Sequence, residues 1–483
     1  MEIKKTRMFG TSGVRGGTNT EITPELAMNL SRAFGDWLGA GKVVIGRDTR
    51  FGTSMLSKAI SAGLQSMGLD VIDCGIVPTP ALGFALKELK AAGGVMVTGS
   101  HMPPERVGLI YMDGTASYIS DNKALEVEDR YFNGLKGSKK IVMHSIGTAE
   151  IDGRVLGRYE KYIGDIVDRD VIAKLALREN FKVVVDPGNG TASGIMPSLI
   201  EKCGIEVIRL HDHYRGDPER SPEPRKHTLG KTVSSLMEHH ASLAAATDLD
   251  ADRVLFVDET GEVVSEDVMG AVFGKWIFEK CRRTGKKDPV CVTPVNSSGL
   301  IDYLAKQYGV DIEYCRIGQP DTERVLTVHK DRAVYAYEES GKYYFAMHVH
   351  WCDGILATLF LLQIMSERQK KLHELTEEFP RFYQAKAQLL CLDAVKDQVY
   401  ESVIHRFHNT PALLEGRVKD ISIDGLKRLF NDNSWLLLRP SGTEPLFRLY
   451  SDAMTQDRAD ELLESARILV EESIRENSLL RSG

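Results

Sequence analysis

Short apolar runs alternate with helix-patterned segments along most of the chain, and few folds accept that alternation. KVVIG at Lys42–Gly46 reads as a buried strand, Thr53–Ser66 as a helix, Val71–Gly75 as a strand, Ala81–Ala92 as a helix and Gly94–Gly99 as another strand. The order returns with FKVVVDPGNG at Phe181–Gly190, a helix reaching Cys203, IEVIRL at Ile205–Leu210, a helix around Val233–His240, and SLAAATD at Ser242–Asp248. A third pass has PVCVTP at Pro289–Pro294, a helix over Gly299–Tyr308, IEYCRIG at Ile312–Gly318 and AVYAYEESG at Ala333–Gly341. Stacked βαβ units of this kind make three tandem α/β layers with helices over their sheets. The last quarter breaks the pattern: two helices flank WLLLRPSGTEPLFRLY at Trp435–Tyr450, which reads as a small α+β unit.

A chain of 483 residues exceeds the roughly 250–300 at which one core stops growing, so several domains are expected. Polar or glycine-rich breaks at Gly134–Lys140, Asp258–Glu262 and Glu367–Leu372 suggest limits at residues 1–145, 146–256, 257–370 and 371–483. With 42% hydrophobic and 27% charged residues the chain can fill several cores. Its 61 Lys and Arg against 68 Asp and Glu, without a block of like charges, argue against nucleic acid as a partner. Seven scattered cysteines without CxxC spacing indicate neither zinc nor a disulfide framework, and fit a reducing compartment. MEIKKTRMFG lacks an apolar leader, and the longest apolar stretch, Gly354–Met365, is too short to cross a bilayer, so a cytoplasmic protein without a membrane partner is expected.

Polar groups gather where the strands end, the place at which open α/β sheets bind ligands. In VTGSHMPPE, Val97–Glu105, a glycine and two prolines frame Ser100 and His101. TDLDADRVLFVDE, Thr247–Glu259, sets Asp248, Asp250 and Asp252 at alternate positions, an oxygen-rich set suited to Mg²⁺ or Ca²⁺. It reads equally as a solvated acidic turn. An EF-hand is excluded by Arg253 at the sixth position, where that loop needs glycine, and by flanks that read as strands. YEESGKYYF, Tyr337–Phe345, offers carboxylates beside Ser340 and Gly341 to a polyol, or is simply a hairpin turn. RPSGTEPLFR, Arg439–Arg448, combines a guanidinium with the backbone N–H groups and hydroxyls of Ser441, Gly442 and Thr443, as an anion nest or a tight turn.

Taken in order, these stretches resemble the α-D-phosphohexomutase family. The likeness runs through FGTSGVRG at Phe9–Gly16, GRDTR at Gly46–Arg50, GIVPTPAL at Gly75–Leu82, TGSHMPP, DPGNGTA at Asp186–Ala192, DLDADR, YEESG and RPSGTEP. It implies a heart-shaped enzyme of four domains, each giving one loop to a central cleft. Ser100 is then the phosphoserine, and Mg²⁺ is held by it with Asp248, Asp250 and Asp252. Arg15 and Arg253 would neutralise phosphoryl oxygens, Glu338 and Ser340 would meet sugar hydroxyls, and Arg439, Ser441, Gly442 and Thr443 would grip the phosphate not being transferred. Phosphate would pass between the 1- and 6-positions of a hexose through a sugar bisphosphate, which also serves as activator. Mannose and glucose phosphates are the leading expectation, ahead of phosphoglucosamine, a pentose phosphate, or a non-catalytic role in binding sugar phosphates.

Four positions depart from the family's pattern. Gly99 and Met102 stand where Ala and Asn are usual. Ile110 stands ten residues after the serine, where a lysine usually serves as general acid or base; Arg15, His101, Arg106 and Tyr111 are the candidates left for that role. Lys342 replaces a histidine and offers a cation to phosphate. The sequence fixes neither the substituent at the sugar C2 nor the oligomeric state.

Overall fold

A computed structural model describes residues 7–10, 12–135, 143–348, 351–442 and 444–479. The described chain forms two compact units, one of residues 1–266, 318–330 and 334–376, the other of 267–317, 331–333 and 377–483. The break expected at Gly134–Lys140 lies largely outside the described residues.

In the first unit, β1 (Val14–Gly17), β2 (Lys42–Arg47), β3 (Asp70–Ile76), β4 (Gly93–Thr98), β5 (Arg106–Asp113) and β6 (Ala149–Ile151) make one mixed sheet in the order β1-β5-β4-β2-β3-β6. Strands β4, β2, β3 and β6 run parallel, whereas β5 is antiparallel to both β4 and β1. Val43, Val44 and Ile45 are all but inaccessible, as a strand covered on both faces requires. Thr23 caps the helix Pro24–Leu38 by accepting from Leu26 N at 3.2 Å, and Pro24 occupies the first turn, where a missing N–H costs nothing. That helix lies so close to the helix Thr53–Gln65 that a Cβ on Gly63 would stand 2.4 Å from Met28 O.

A second mixed sheet repeats the arrangement. Strands β7 (Lys182–Asp186), β8 (Glu206–Arg209), β9 (Leu243–Thr247) and β10 (Val254–Asp258) lie in the order β10-β9-β7-β8, with β10 antiparallel and the others parallel. Strands β11 (Val290–Pro294) and β12 (Asp311–Cys315) are a parallel pair in the second unit. β13 (Ala333–Glu338) and β14 (Lys342–Phe345) form a hairpin in the first unit from Val334 onward, with Glu338 opposite Lys342.

The apolar run noted above becomes the helix Gly354–Arg368, buried on all sides in the first unit, as a helix without a polar face must be. Asp353 caps it, its Oδ1 accepting from Ile355 N and Leu356 N at 3.0 Å each, while Oδ2 takes the Tyr159 hydroxyl at 2.5 Å. No helix among the described residues is long and apolar enough to cross a membrane. All seven cysteines are buried and unbridged.

The C-terminal part of the second unit holds β15 (Tyr383–Leu390), β16 (Arg417–Ile421), β17 (Leu426–Phe430), β18 (Trp435–Pro440) and β19 (Leu446–Ala453), antiparallel throughout in the order β15-β19-β18-β17-β16. The helices Lys396–Asn409 and Gln456–Leu479 accompany it, so the expected α+β unit is present with three strands, β15, β16 and β17, that the sequence pattern did not suggest. β15 alternates half-buried and exposed residues, and its Lys and Gln side chains dilute the apolar signal.

Leu361 lies wholly inside the first unit. Leu361→Ala is expected to cost about 2–5 kcal/mol by leaving a cavity, visible as a lower thermal midpoint; an unchanged midpoint would show that this helix does not hold the unit's core.

Candidate active site

Strand β4 delivers Thr98 to the sheet edge, and Gly99, Ser100 and His101 turn away from it. Ser100 is buried and adopts φ +48°, a left-handed conformation that a side chain rarely takes without outside support. Its Oγ donates to Asp248 Oδ2 at 2.7 Å and lies 3.2 Å from His101 Nδ1. The support comes from Asp48, just past β2. Asp48 Oδ2 accepts from Gly99 N at 2.9 Å and from Thr98 Oγ1 at 2.8 Å, and Thr98 Oγ1 in turn accepts from Ser100 N.

Asp248, Asp250 and Asp252 sit in the connection between antiparallel β9 and β10, which agrees with the rejection of an EF-hand. Ala251, fully buried at φ +60°, makes the sharp turn that brings the carboxylates together. One oxygen from each lies within 4.8 Å of the others. The loop is braced from three directions. Thr79 N donates to Asp250 O at 3.0 Å and its hydroxyl to Asp250 Oδ2 at 2.7 Å; Gly354 N donates to Ala251 O at 3.0 Å; Val254 N donates to Gly341 O at 3.0 Å.

Three buried carboxylates this close cannot all keep ordinary acidity. Burial and then repulsion from its two neighbours raise Asp248 well above the carboxylate range, and burial and then repulsion from Asp252 push Asp250 up to about 6. Burial acts on Asp252 as well, but the Lys342 ammonium and Arg253 outweigh it and hold that group low. Asp250 Oδ1 and Asp252 Oδ1 are buried without a hydrogen-bond partner. Hard oxygen donors, surplus negative charge and two unpartnered oxygens fit a divalent cation such as Mg²⁺.

Cations surround this loop. Arg253 Nε stands 3.9 Å from both Asp248 Oδ2 and Asp252 Oδ1. Arg15, on β1, donates Nε to Ser12 O at 3.0 Å, and burial lowers its pKa. His101 is held uncharged, first by burial and then by Arg253, Arg15 and Lys342. Glu338 Oε1 accepts from Thr322 at 3.1 Å and from the Tyr344 hydroxyl at 2.5 Å, and Ser340 is half-buried at the turn between β13 and β14. The first unit therefore gathers Ser100, His101, Arg15, Arg253, the three aspartates, Glu338, Ser340 and Lys342.

In the second unit Arg439 Nε pairs with Asp424 Oδ2 at 2.9 Å. Ser441 N donates to Leu446 O at 2.8 Å, and Lys396 Nζ donates to the Ser441 and Glu444 carbonyls at 2.7 Å each. Gly442 is exposed, with open space where a Cβ would stand. Thr443 lies outside the described residues.

The geometry corrects three expectations. Tyr111 is no acid or base for this site: its hydroxyl lies 3.1 Å from Ser31 Oγ and its ring packs against Phe9 and Phe34 in the core, because odd-numbered residues of β5 face inward. Arg106 begins β5 with an exposed side chain 4.0 Å from Glu21. Lys342 is buried with Nζ 2.8 Å from Asp252 Oδ2 and bonded to Gln319 Oε1, so its charge goes to the aspartate loop and not to a free anion site. Motif reading missed Gln319, Glu323 and Tyr118: Gln319 Nε2 donates to Glu323 Oε1 at 2.9 Å and Tyr118 N to Glu323 Oε2 at 3.1 Å. It also gave no role to Asp48 or Thr79, although GRDTR and GIVPTPAL mark both.

Four family models match the chain. They are described as phosphoglucomutase/phosphomannomutase alpha/beta/alpha domain I over residues 6–137, domain II over 158–261, domain III over 265–383, and the C-terminal domain over 383–468. A probable phosphoglucosamine mutase of Pyrococcus abyssi is 34% identical over 472 residues, covering 98% of this chain and 99% of its own. A phosphoglucosamine/phosphogalactosamine mutase of Sulfurisphaera tokodaii is 31% identical over 471 residues, covering 96% and 99%. The crystal structure of a phosphoglucomutase/phosphomannomutase family protein from Burkholderia thailandensis shares the fold with a TM-score of 0.82 at 23% identity, covering 97% of each chain.

In the metal-free protein Asp250 is raised from 3.8 to about 6. Its contribution to stability is therefore present at low pH and lost as pH rises through 6. A divalent cation relieves that penalty, so Mg²⁺ should raise the thermal midpoint by several degrees at about pH 7.5 and little at about pH 5. Equal shifts at both would contradict it.

Proposed function

The chain belongs to the phosphoglucomutase/phosphomannomutase family, and from that premise we propose that this intramolecular phosphotransferase moves phosphate between the 1- and 6-positions of glucosamine phosphate by way of Ser100. The observation that carries the role of Ser100 is its Oγ, donated at 2.7 Å to a buried carboxylate within a three-aspartate loop. A serine serving only as a turn has no need of that partner.

In this reading Asp248, Asp250, Asp252 and the phosphorylated Ser100 hold Mg²⁺. Bound there, it would polarise the phosphoryl oxygens and offset their charge. The transferred group is positioned and neutralised, with little covalent work left to the protein. Arg15 and Arg253 supply further positive charge, and the neutral His101 beside Ser100 Oγ offers a hydrogen bond without adding repulsion. As the bond from phosphorus to Ser100 Oγ breaks, a bond to the sugar oxygen forms, and the proton of that hydroxyl passes to Ser100 Oγ, which leaves as the serine hydroxyl. The resulting bisphosphate turns over and returns its other phosphate to Ser100, so added sugar bisphosphate would prime enzyme that has lost its phosphate.

Glu338 and Ser340 would read sugar hydroxyls. Arg439, Ser441, Gly442 and Thr443 would hold the second phosphate, and Lys342 would fix Asp252 in place. The domain limits at 145, 256 and 370 stand as part of the same proposal. Glucosamine displaces the mannose and glucose phosphates expected from the motifs because both curated relatives above are named for it. Glucose or mannose phosphate is the second reading, favoured by the names of the family models.

Turnover of glucosamine 6-phosphate is expected to exceed that of glucose and mannose 6-phosphates by about tenfold or more in kcat/KM, a difference of about 1.4 kcal/mol in transition-state binding. A reversed ranking would return the assignment to the hexoses. Arg439→Ala should raise KM by about tenfold or more with a smaller change in kcat, as loss of binding common to ground and transition states does; an unchanged KM would remove Arg439 from the phosphate loop.

A further inference from the structure

The two α/β sheets of the first unit carry one device twice. Strand β2 lies between β4 and β3, and β7 lies between β9 and β8, so the two strands hold equivalent places. A buried aspartate stands at the C-terminal end of each, Asp48 one residue past β2 and Asp186 as the last residue of β7. Each aspartate pairs with an arginine whose side chain is buried: Arg50 Nε to Asp48 Oδ2 at 3.1 Å, and Arg220 Nε to Asp186 Oδ2 at 3.1 Å.

Both arginines also donate through Nη1 and Nη2 to backbone carbonyls. Arg50 donates to Ser100 O and Met102 O at 2.6 Å each, to Arg106 O at 3.0 Å and to Pro103 O. Arg220 donates to Thr247 O at 2.5 Å, to Ser221 O at 2.9 Å and to Asp186 O at 3.1 Å. Ser100 carries the proposed chemistry, and Thr247 directly precedes the first aspartate of the metal loop.

A glycine underlies each guanidinium. A Cβ on Gly99 would stand 2.3 Å from Arg50 Cζ and 2.7 Å from Arg106 O. One on Gly188, at φ +58°, would stand 2.8 Å from Arg220 Cζ. Arg50 cannot swing aside freely, since five acceptors fix it.

Burying an arginine–aspartate pair rarely raises stability over apolar packing, so specificity of geometry is the better account of its presence. The planar fork of N–H donors can hold several carbonyls in one arrangement, which a lysine cannot. We propose that Arg50 and Arg220 are positioning residues of the mutase, Arg50 locking the left-handed turn that presents Ser100 Oγ and Arg220 locking the entry to Asp248, with Gly99 and Gly188 admitting the two guanidinium groups. This rests on the reading of Ser100 as the phosphoryl carrier.

The test compares Arg50→Lys, Arg50→Ala, Gly99→Ala, Arg220→Lys and Ser100→Ala in the full chain, with circular dichroism and thermal midpoints to establish folding. Arg50→Lys is expected to lower kcat by about 100-fold with KM changed by less than about threefold, the signature of a misplaced reacting atom. Added guanidinium ion at low millimolar concentration should recover part of the Arg50→Ala loss. Gly99→Ala, which retains the arginine, should lower kcat by about tenfold or more and gain nothing from guanidinium. Arg220→Lys should raise the half-saturating Mg²⁺ concentration by about tenfold, with kcat at saturating Mg²⁺ largely kept.

Folded Arg50→Lys and Gly99→Ala enzymes with wild-type kcat, beside an inactive Ser100→Ala, would overturn the proposal. If the Arg50 variants do not fold, Gly99→Ala decides it. A fully active Ser100→Ala enzyme would instead sink the reading of Ser100 itself.

Discussion

Three carboxylates buried in one hairpin loop set the terms for everything around them. Left alone, Asp248, Asp250 and Asp252 would repel one another in a low-dielectric interior at a cost no small loop could sustain. The protein meets that cost in part with Lys342 and Arg253, which hold Asp252 ionised, and in part with hydroxyl donors, Ser100 on Asp248 and Thr79 on Asp250. Two oxygens are left without partners. A divalent cation would complete the balance, and the charge that makes the loop receptive to a cation would make that cation useful beside a phosphorylated serine.

The surrounding fold follows from keeping this loop and the serine loop rigid and adjacent. Each extends from the C-terminal end of a buried strand, β4 or β9, and each contains one non-glycine residue in the left-handed region, Ser100 and Ala251. Such turns persist only where neighbouring groups over-determine them. Asp48 binds the backbone on one side of Ser100, while Gly354 and Gly341 take up backbone groups on either side of Asp252. The two loops are thus held through their backbone groups, by buried side chains such as Asp48 and Arg50 and by the backbone of Gly341 and Gly354.

Much of this was legible in the sequence because the chemistry sits in contiguous stretches. Ser100, the three aspartates, Glu338 and Arg439 each lie in a short motif, and the strand–helix alternation located β2, β3, β4, β8, β9 and β11 to within a residue or two but suggested none of β1, β5 and β6. What escaped was set by contacts across long sequence separations. Gln319 and Glu323 matter through Lys342 and Tyr118, and nothing local to the first turn of the helix Gln319–His329 announces that. Tyr111 stayed among the acid–base candidates because β5 was not marked as a strand; its alternation places Tyr111 with Leu109 and Val107 in the apolar core. Lys342 was misread because a buried lysine beside a carboxylate and an anion-gripping lysine look alike in sequence. The strands β15, β16 and β17 escaped because a sheet with one wet face mixes Lys, Arg and Gln among its apolar residues.

The central claim is that Ser100 carries the phosphoryl group, and intact mass with peptide mapping tests it most directly. The full-length protein would be treated with glucosamine 1,6-bisphosphate and Mg²⁺, then digested. The account predicts a single added phosphate, placed on Ser100 and discharged on addition of excess glucosamine 6-phosphate. Phosphate on another residue, or none at all in a preparation that interconverts the sugar phosphates, would contradict it.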